Sequence, residues 1–375
     1  MDFLKGNART GVTVIIVLML LFGCASNPKS LKGDLPDPEK GFRIAVFPFE
    51  NLSGMTAPAR EIRKLLIVEL QKKGFNVLGE QVLEKFMARH RIRDVSGIDV
   101  TIARAFKKEA DIEGVLITSV ELYSDVIPPK IALISRLVST EDKPIILWMD
   151  AVGLAGDDSP GILGLGLIEE PRKLLEKALG LLSESLLQYT SSGRNKSKQV
   201  SRKKFRPKII YRSPELEAGG KYTVAVIPFF NSSGRKNAAE VLGLHFVRQL
   251  AQMENFDVIE LGVVKQKLLN ARIIMSEGIS LPDIDLIANS LEADLILNGK
   301  VMEYQDYQGS LGKPKVGFFV TVVERKSRKI VWSSSSHNEG DDGVFFFDVG
   351  RVNTAHVMVS NMARAIGEMI VKGRK

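Results

Sequence analysis

Reactive side chains are scarce in this chain. One cysteine, Cys24, and four histidines, His90, His245, His337 and His356, are all the thiol and imidazole groups that 375 residues offer. The histidines stand at no His-x3-His or Cys–His spacing, so neither a metal site nor a cofactor is read from them. A single histidine on a helical stretch, such as His245, is read as a packed residue. No Gly-x4-Gly-Lys-Ser/Thr phosphate loop and no Gly-x-Ser-x-Gly nucleophile elbow occurs. Gly161-Ile-Leu-Gly-Leu-Gly166 is glycine-rich, yet it follows no first strand as a dinucleotide fingerprint must. Paired carboxylates are what remain. Asp157-Asp158 and Asp341-Asp342 each follow a glycine, and Glu339 adds a third acid to the second pair. A calcium ion needs about six to eight oxygens at spaced positions, so the primary reading is a solvated turn, with partner or ion binding as the alternative. No catalytic residue is assigned. The chain reads as non-enzymatic, with carboxylate-based hydrolysis as the last alternative.

Cys24 has the most informative setting. A short basic start (Lys5, Arg9) precedes an apolar run from Val12 to Phe22, which closes as Leu21-Phe22-Gly23-Cys24. That run suits a signal-peptide core and falls well short of the ~20 residues needed to span a bilayer. The closing quartet resembles the lipobox of exported bacterial lipoproteins. The resemblance implies a signal peptide over 1–23 and a covalent lipid on Cys24, the only modification expected. A flexible spacer over 24–41 would follow. Ala25 stands where inner-membrane retention would place Asp, so an outer-membrane anchor facing the periplasm is expected. With its one cysteine lipidated the chain has no disulfide, and each domain must rely on its apolar core.

The net charge of +8 belongs to one segment. Ten basic residues against Glu215 and Glu217 fall between Thr190 and Lys221, and they account for the whole excess. Ser191-Ser192-Gly193, Pro207, Pro214 and Gly219-Gly220 complete the composition of a flexible linker over 191–221. Such a run is a self-repelling tether or a contact for an anionic surface. In an exported protein that surface would be anionic lipid or lipopolysaccharide, touched by Arg202, Lys203, Lys204 and Arg206. Nucleic acid is not an expected partner.

An internal repeat flanks that linker. Arg43–Gly54 aligns without gaps on Thr223–Gly234, sharing Ala45, Val46, Pro48, Phe49, Asn51, Ser53 and Gly54 with Ala225, Val226, Pro228, Phe229, Asn231, Ser233 and Gly234. Near each end Trp148, Gly156-Asp157-Asp158 and Gly166 match Trp332, Gly340-Asp341-Asp342 and Gly350. A period this long means a doubled domain rather than a solenoid. The expected copies are 42–190 and 222–375, each folding independently.

Each copy reads as α/β, a single mixed sheet flanked by helices. Ile44–Phe49 and Val224–Phe229 are continuous apolar runs, as in strands covered on both faces. Helices follow at about 59–73 and 238–253, short strands at 75–78 and 256–259, then two further helices. Three long strands come next, over 114–123, 130–139 and 144–152 in the first copy. Their counterparts span 295–304, 315–324 and 329–336. A terminal helix closes each copy, at 171–189 and 354–371. The apolar loops Ile162–Leu165 and Val344–Phe347 are expected beneath those helices or exposed to a partner.

Two stretches, Val224-Ala-Val-Ile-Pro-Phe-Phe-Asn-Ser-Ser-Gly234 and Ala293-Asp-Leu-Ile-Leu-Asn-Gly-Lys-Val301, resemble the periplasmic α/β domain of TolB amino-terminal regions. The curli secretion lipoprotein family is similar. The resemblance covers roughly 42–190 and 222–372, although the first copy departs from it with Glu113-Gly114-Val115-Leu116-Ile117-Thr118. No propeller follows, and the long alternating hairpins of a membrane barrel are missing from the sequence. The resemblance implies an outer-membrane assembly or interaction factor with other envelope proteins as partners. The alternatives are an oligomeric component of a curli-like export system and, least favoured, an envelope hydrolase.

Overall fold

A computed structural model describes residues 42–158, 166–193, 203–273, 275, 278–309, 312–344 and 350–372. Cys24 and its lipobox lie outside the described residues, as do Arg202, Ile162–Leu165 and all of Val344–Phe347 except Val344. Both copies adopt the expected mixed α/β fold. In the first, β1 (Arg43–Val46), β2 (Glu50–Asn51) and α1 (Ala59–Lys72) lead to β3 (Asn76–Val77), α2 (Glu80–Arg89) and α3 (Val100–Ala110). The long strands β4 (Gly114–Ser124), β5 (Lys130–Ser139) and β6 (Ile146–Ala155) precede α4 (Pro171–Ser192). The sheet runs β3-β1-β4-β5-β6, with β2 also against β4. Pro48 lies beyond β1, where its missing N–H breaks no ladder.

The second copy repeats this order and adds an edge strand. A single 3-10 turn (Lys203–Phe205) leads into β7 (Lys208–Arg212), which pairs antiparallel with the last strand of the sheet. Then come β8 (Tyr222–Val226), β9 (Phe230–Asn231), α5 (Ala238–Ala251), β10 (Phe256–Val258), α6 (Leu261–Asn270) and α7 (Leu281–Leu291). β11 (Leu295–Gln305), β12 (Lys315–Glu324), β13 (Lys329–Glu339) and α8 (Ala355–Lys372) complete it. Ser280 caps α7 by accepting the Asp283 N–H at 3.2 Å, with Pro282 in the first turn.

Two expectations are corrected. Residues 203–221 are not a free tether but part of the second copy. Phe205 and Leu216 sit in its core and Ile209 packs beside them, so three apolar anchors hold a strongly basic stretch in place. Nor are the two cores fully separate, although each copy keeps apolar clusters of its own. Leu52, Ile134, Ile146 and Met149 of the first copy join the same apolar cluster as α5, α8 and the second sheet.

The helix responsible is α5. In the first copy α1 keeps a polar face, with Arg60, Glu61 and Lys64 exposed, and covers only the front of its own sheet. Its counterpart Ala238-Ala-Glu-Val-Leu-Gly-Leu-His-Phe-Val-Arg-Gln-Leu-Ala251 is buried at every position but Glu240. A helix apolar nearly all round must be covered all round. Accordingly α5 is clamped between its own sheet and the back of the first sheet, beside the region that α2 and α3 cover. The arrangement runs head to tail, so the matching back face of the second copy stays open, with Met302 exposed where the first copy buries Glu121.

Candidate functional site: the junction between the copies

Two glycines set how closely the copies approach. A Cβ on Gly262, at the start of α6, would fall 2.4 Å from both the backbone N and O of Ile98. A Cβ on Gly97 would fall 2.6 Å from the Gly262 N. Backbone therefore lies directly on backbone here. Next to this contact Arg136 of β5 meets Glu260, the residue that caps α6, with both side chains buried. The guanidinium Nε lies 3.1 Å from Glu260 Oε2 and Nη2 lies 3.1 Å from Oε1, while Nη2 also donates to the Ser96 carbonyl. Two-point geometry of this kind is what a guanidinium offers a carboxylate. Further along, Arg248 Nη2 donates to Asp150 Oδ1 at 2.6 Å, and Lys130 Nζ donates to the Tyr307 carbonyl at 2.9 Å.

At the centre of the junction three residues from three elements converge. Glu121 of β4, His245 of α5 and His356 of α8 are all buried, and one ligand atom from each lies within 4.8 Å of the others. His245 Nε2 is 3.1 Å from Glu121 Oε2, and His356 Nδ1 contacts the same oxygen. The two imidazoles meet edge to face with centroids 4.7 Å apart. Burial raises the cost of the Glu121 charge, but the two imidazoles outweigh it and hold its carboxyl far below the ordinary range. His245 is depressed in turn, mainly because burial disfavours its cation. Gly153 of β6 makes the room, since a Cβ there would fall 2.4 Å from His356 Cδ2.

Beside this cluster opens a cleft of about 900 Å³, lined by both copies. Both of the repeated Asn-x-Ser-Gly turns line it. In each, the asparagine Oδ1 accepts the N–H and Oγ–H of the serine two residues on: Asn51 to Ser53 at 3.1 and 2.6 Å, Asn231 to Ser233 at 3.0 and 2.7 Å. The asparagine Nδ2 then ties down the far side, at Met55 O and Arg235 O. Asparagine reproduces a backbone turn this way, which is why the motif recurs. Arg235 stacks over buried Tyr304 and donates to the Glu121 carbonyl, joining the cleft to the cluster.

The sequence candidates fall elsewhere. Asp158 Oδ2 accepts the Ala155 N–H and its Oδ1 accepts Asn353 Nδ2 from the other copy at 3.1 Å. Asp342 Oδ2 accepts the Glu339 N–H and Asn338 Nδ2, so both residues brace their own turns. Asp341 pairs with Lys313 at 2.7 Å. Asp157 has one carboxylate oxygen buried without a hydrogen-bond partner. Among the basic candidates Lys204 donates to the carbonyls of Asp342 and Gly350, whereas Lys203 and Arg206 are exposed. The structure thus brings Lys204 and Asp342 together and leaves the four aspartates in two separate loops. Among the described residues no helix is long and apolar enough to cross a membrane.

No family model matches the chain and no curated protein matches it. Solved structures do. The PelC dodecamer from Paraburkholderia phytofirmans is 16% identical, with 40% of this chain and 90% of that one covered and a TM-score of 0.26. Lipoprotein GNA1162 from Neisseria meningitidis is 17% identical over 38% of this chain and 98% of that one, at 0.28. The C-terminal domain of LpoB from Escherichia coli is 14% identical over 32% and 84%, at 0.24. These are resemblances at low identity and carry over no function.

Proposed function

We propose that this chain is a lipid-anchored, non-enzymatic factor of the bacterial outer membrane, facing the periplasm, whose two copies act as one rigid body toward another envelope protein. The observation that carries the reading is the cleft itself. Duplication supplied two equivalent turns, and head-to-tail docking brought both to one opening. Its lining of serine hydroxyls, the amides of Gln305 and Gln308, the thioethers of Met55 and Met302 and the basic groups of Arg235 and Lys236 suits an extended peptide segment. Polar groups there can pair with a partner backbone, and the thioethers adapt to varied side chains. The lipobox at Leu21–Cys24 supplies the anchor.

A photoreactive side chain at Met55 or Gln308, introduced in living cells, should yield an adduct of the same added mass from both positions. Cys24→Ser should abolish palmitate labelling and release the chain from membrane pellets, and the adduct should be lost with it. A probe at exposed Val82, on α2, serves as control. No adduct from the cleft positions, or the same adduct from Val82, would overturn the reading.

A further inference from the structure

We infer that Glu121, His245 and His356 form a binding site for a divalent transition-metal ion of the zinc class, held between the two copies. The inference depends on the docking of the copies and is independent of what the cleft binds.

Ligand chemistry comes first. Two imidazole nitrogens and a carboxylate oxygen make an N2O set, which suits zinc and its neighbours and not the all-oxygen preference of calcium or magnesium. Metal–ligand bonds of about 2.0–2.2 Å place tetrahedral ligand atoms roughly 3.3 Å apart. The three atoms here already lie within 4.8 Å of one another, and His245 Nε2 and Glu121 Oε2 are 3.1 Å apart.

The polar groups of the cluster are also incompletely satisfied. Both imidazoles converge on one oxygen of Glu121, while its other oxygen, Oε1, is buried with no hydrogen-bond partner. A buried lone pair left unmatched costs about 1–3 kcal/mol, so such atoms call for an explanation. An ion lying between the three residues answers it, because a carboxylate binding through both oxygens supplies a fourth donor. The charge balance agrees. Arg248, the cation nearest to His245 along α5, is already engaged by Asp150 and Ser360, and half-buried Asp306 is held by the Ala355 N–H. With both imidazoles neutral, as metal ligands must be, the buried Glu121 carboxylate is the charge of the cluster that a bound cation would neutralise. Finally, the cavity is shaped for the ring: Gly153 leaves the space into which His356 projects.

The test uses the full chain in detergent, stripped with a chelator and titrated with Zn²⁺ by calorimetry. One ion per chain is expected. His245→Ala and His356→Ala should each weaken binding by on the order of 100-fold or more, and Glu121→Gln should weaken it similarly. His90→Ala and His337→Ala, at histidines outside the cluster, should bind as the parent does. Should the cluster variants fail to fold, Co²⁺ in the unaltered chain decides. An intense visible absorption of a low-coordinate N/O site, displaced by one equivalent of Zn²⁺, supports the assignment. No stoichiometric binding, a weak six-coordinate Co²⁺ spectrum, or binding unaffected in folded histidine variants would overturn it, leaving Glu121, His245 and His356 as a hydrogen-bonded clamp.

Discussion

Gly262→Ala is expected to cost about 3 kcal/mol or more, at or above the upper end of ordinary overpacking, because the added methyl meets backbone and not a side chain that can swing aside. Neither neighbour can yield cheaply. The Ile98 backbone is anchored by its own buried side chain, and Gly262 opens the helix that Glu260 caps. The copies must separate locally, so the loss should extend to the Arg136–Glu260 contact alongside. Thermal unfolding of the variant should begin several degrees below that of the parent. Gly234→Ala is the matched control. A Cβ on Gly234 meets nothing within 4 Å, and its midpoint should stay close to the parental value. An unchanged midpoint for Gly262→Ala would mean that the copies do not touch there.

Arg136→Met should be nearly as damaging, for a different reason. The variant keeps the apolar stem but strands the Glu260 carboxylate, which is fully buried. Breaking one side of a buried ion pair costs about 3–5 kcal/mol, since the remaining charge has no water and here keeps only the Gly262 N–H. Replacing both members costs less than the sum of the single changes, because no charge is then left behind. Arg136→Met with Glu260→Gln should therefore recover much of what Arg136→Met alone loses, the amide still being able to accept the Gly262 N–H. A denaturant double-mutant cycle reads this directly as a coupling energy. Additive single effects would show that the two side chains do not share the interface.

How much of this was legible in the sequence differs from residue to residue. The repeat was, since Asn51, Ser53 and Gly54 recur as Asn231, Ser233 and Gly234 and build the same turn from the same bonds. The succession of elements along the chain and the mixed α/β class followed from apolar runs and their spacing. The docking of the copies also left a signal, in the contrast between α1 with its charged face and α5 with almost none. Read helix by helix, that contrast looks like ordinary amphipathicity; read as a pair, it says that one copy is covered and the other covers. Phe205 was hidden by its neighbours, because one aromatic ring outweighs the basic composition around it once a pocket exists to receive it. The cluster left no local pattern at all. His245 is 124 positions from Glu121 and His356 is 235, so only the docking of one copy on the other brings them together. Gly153, Gly97 and Gly262 gave no warning either, since a glycine needed for close approach reads in sequence like any other.

One apolar cluster joins the two copies, and this junction underlies the cleft, the cluster of Glu121, His245 and His356 and both substitutions above. Differential scanning calorimetry of the Cys24→Ser full chain tests it most directly. Two copies that share α5 must lose it together, so one transition is predicted, with calorimetric and van't Hoff enthalpies in agreement. Two resolved transitions, or a calorimetric enthalpy about twice the van't Hoff value, would contradict it.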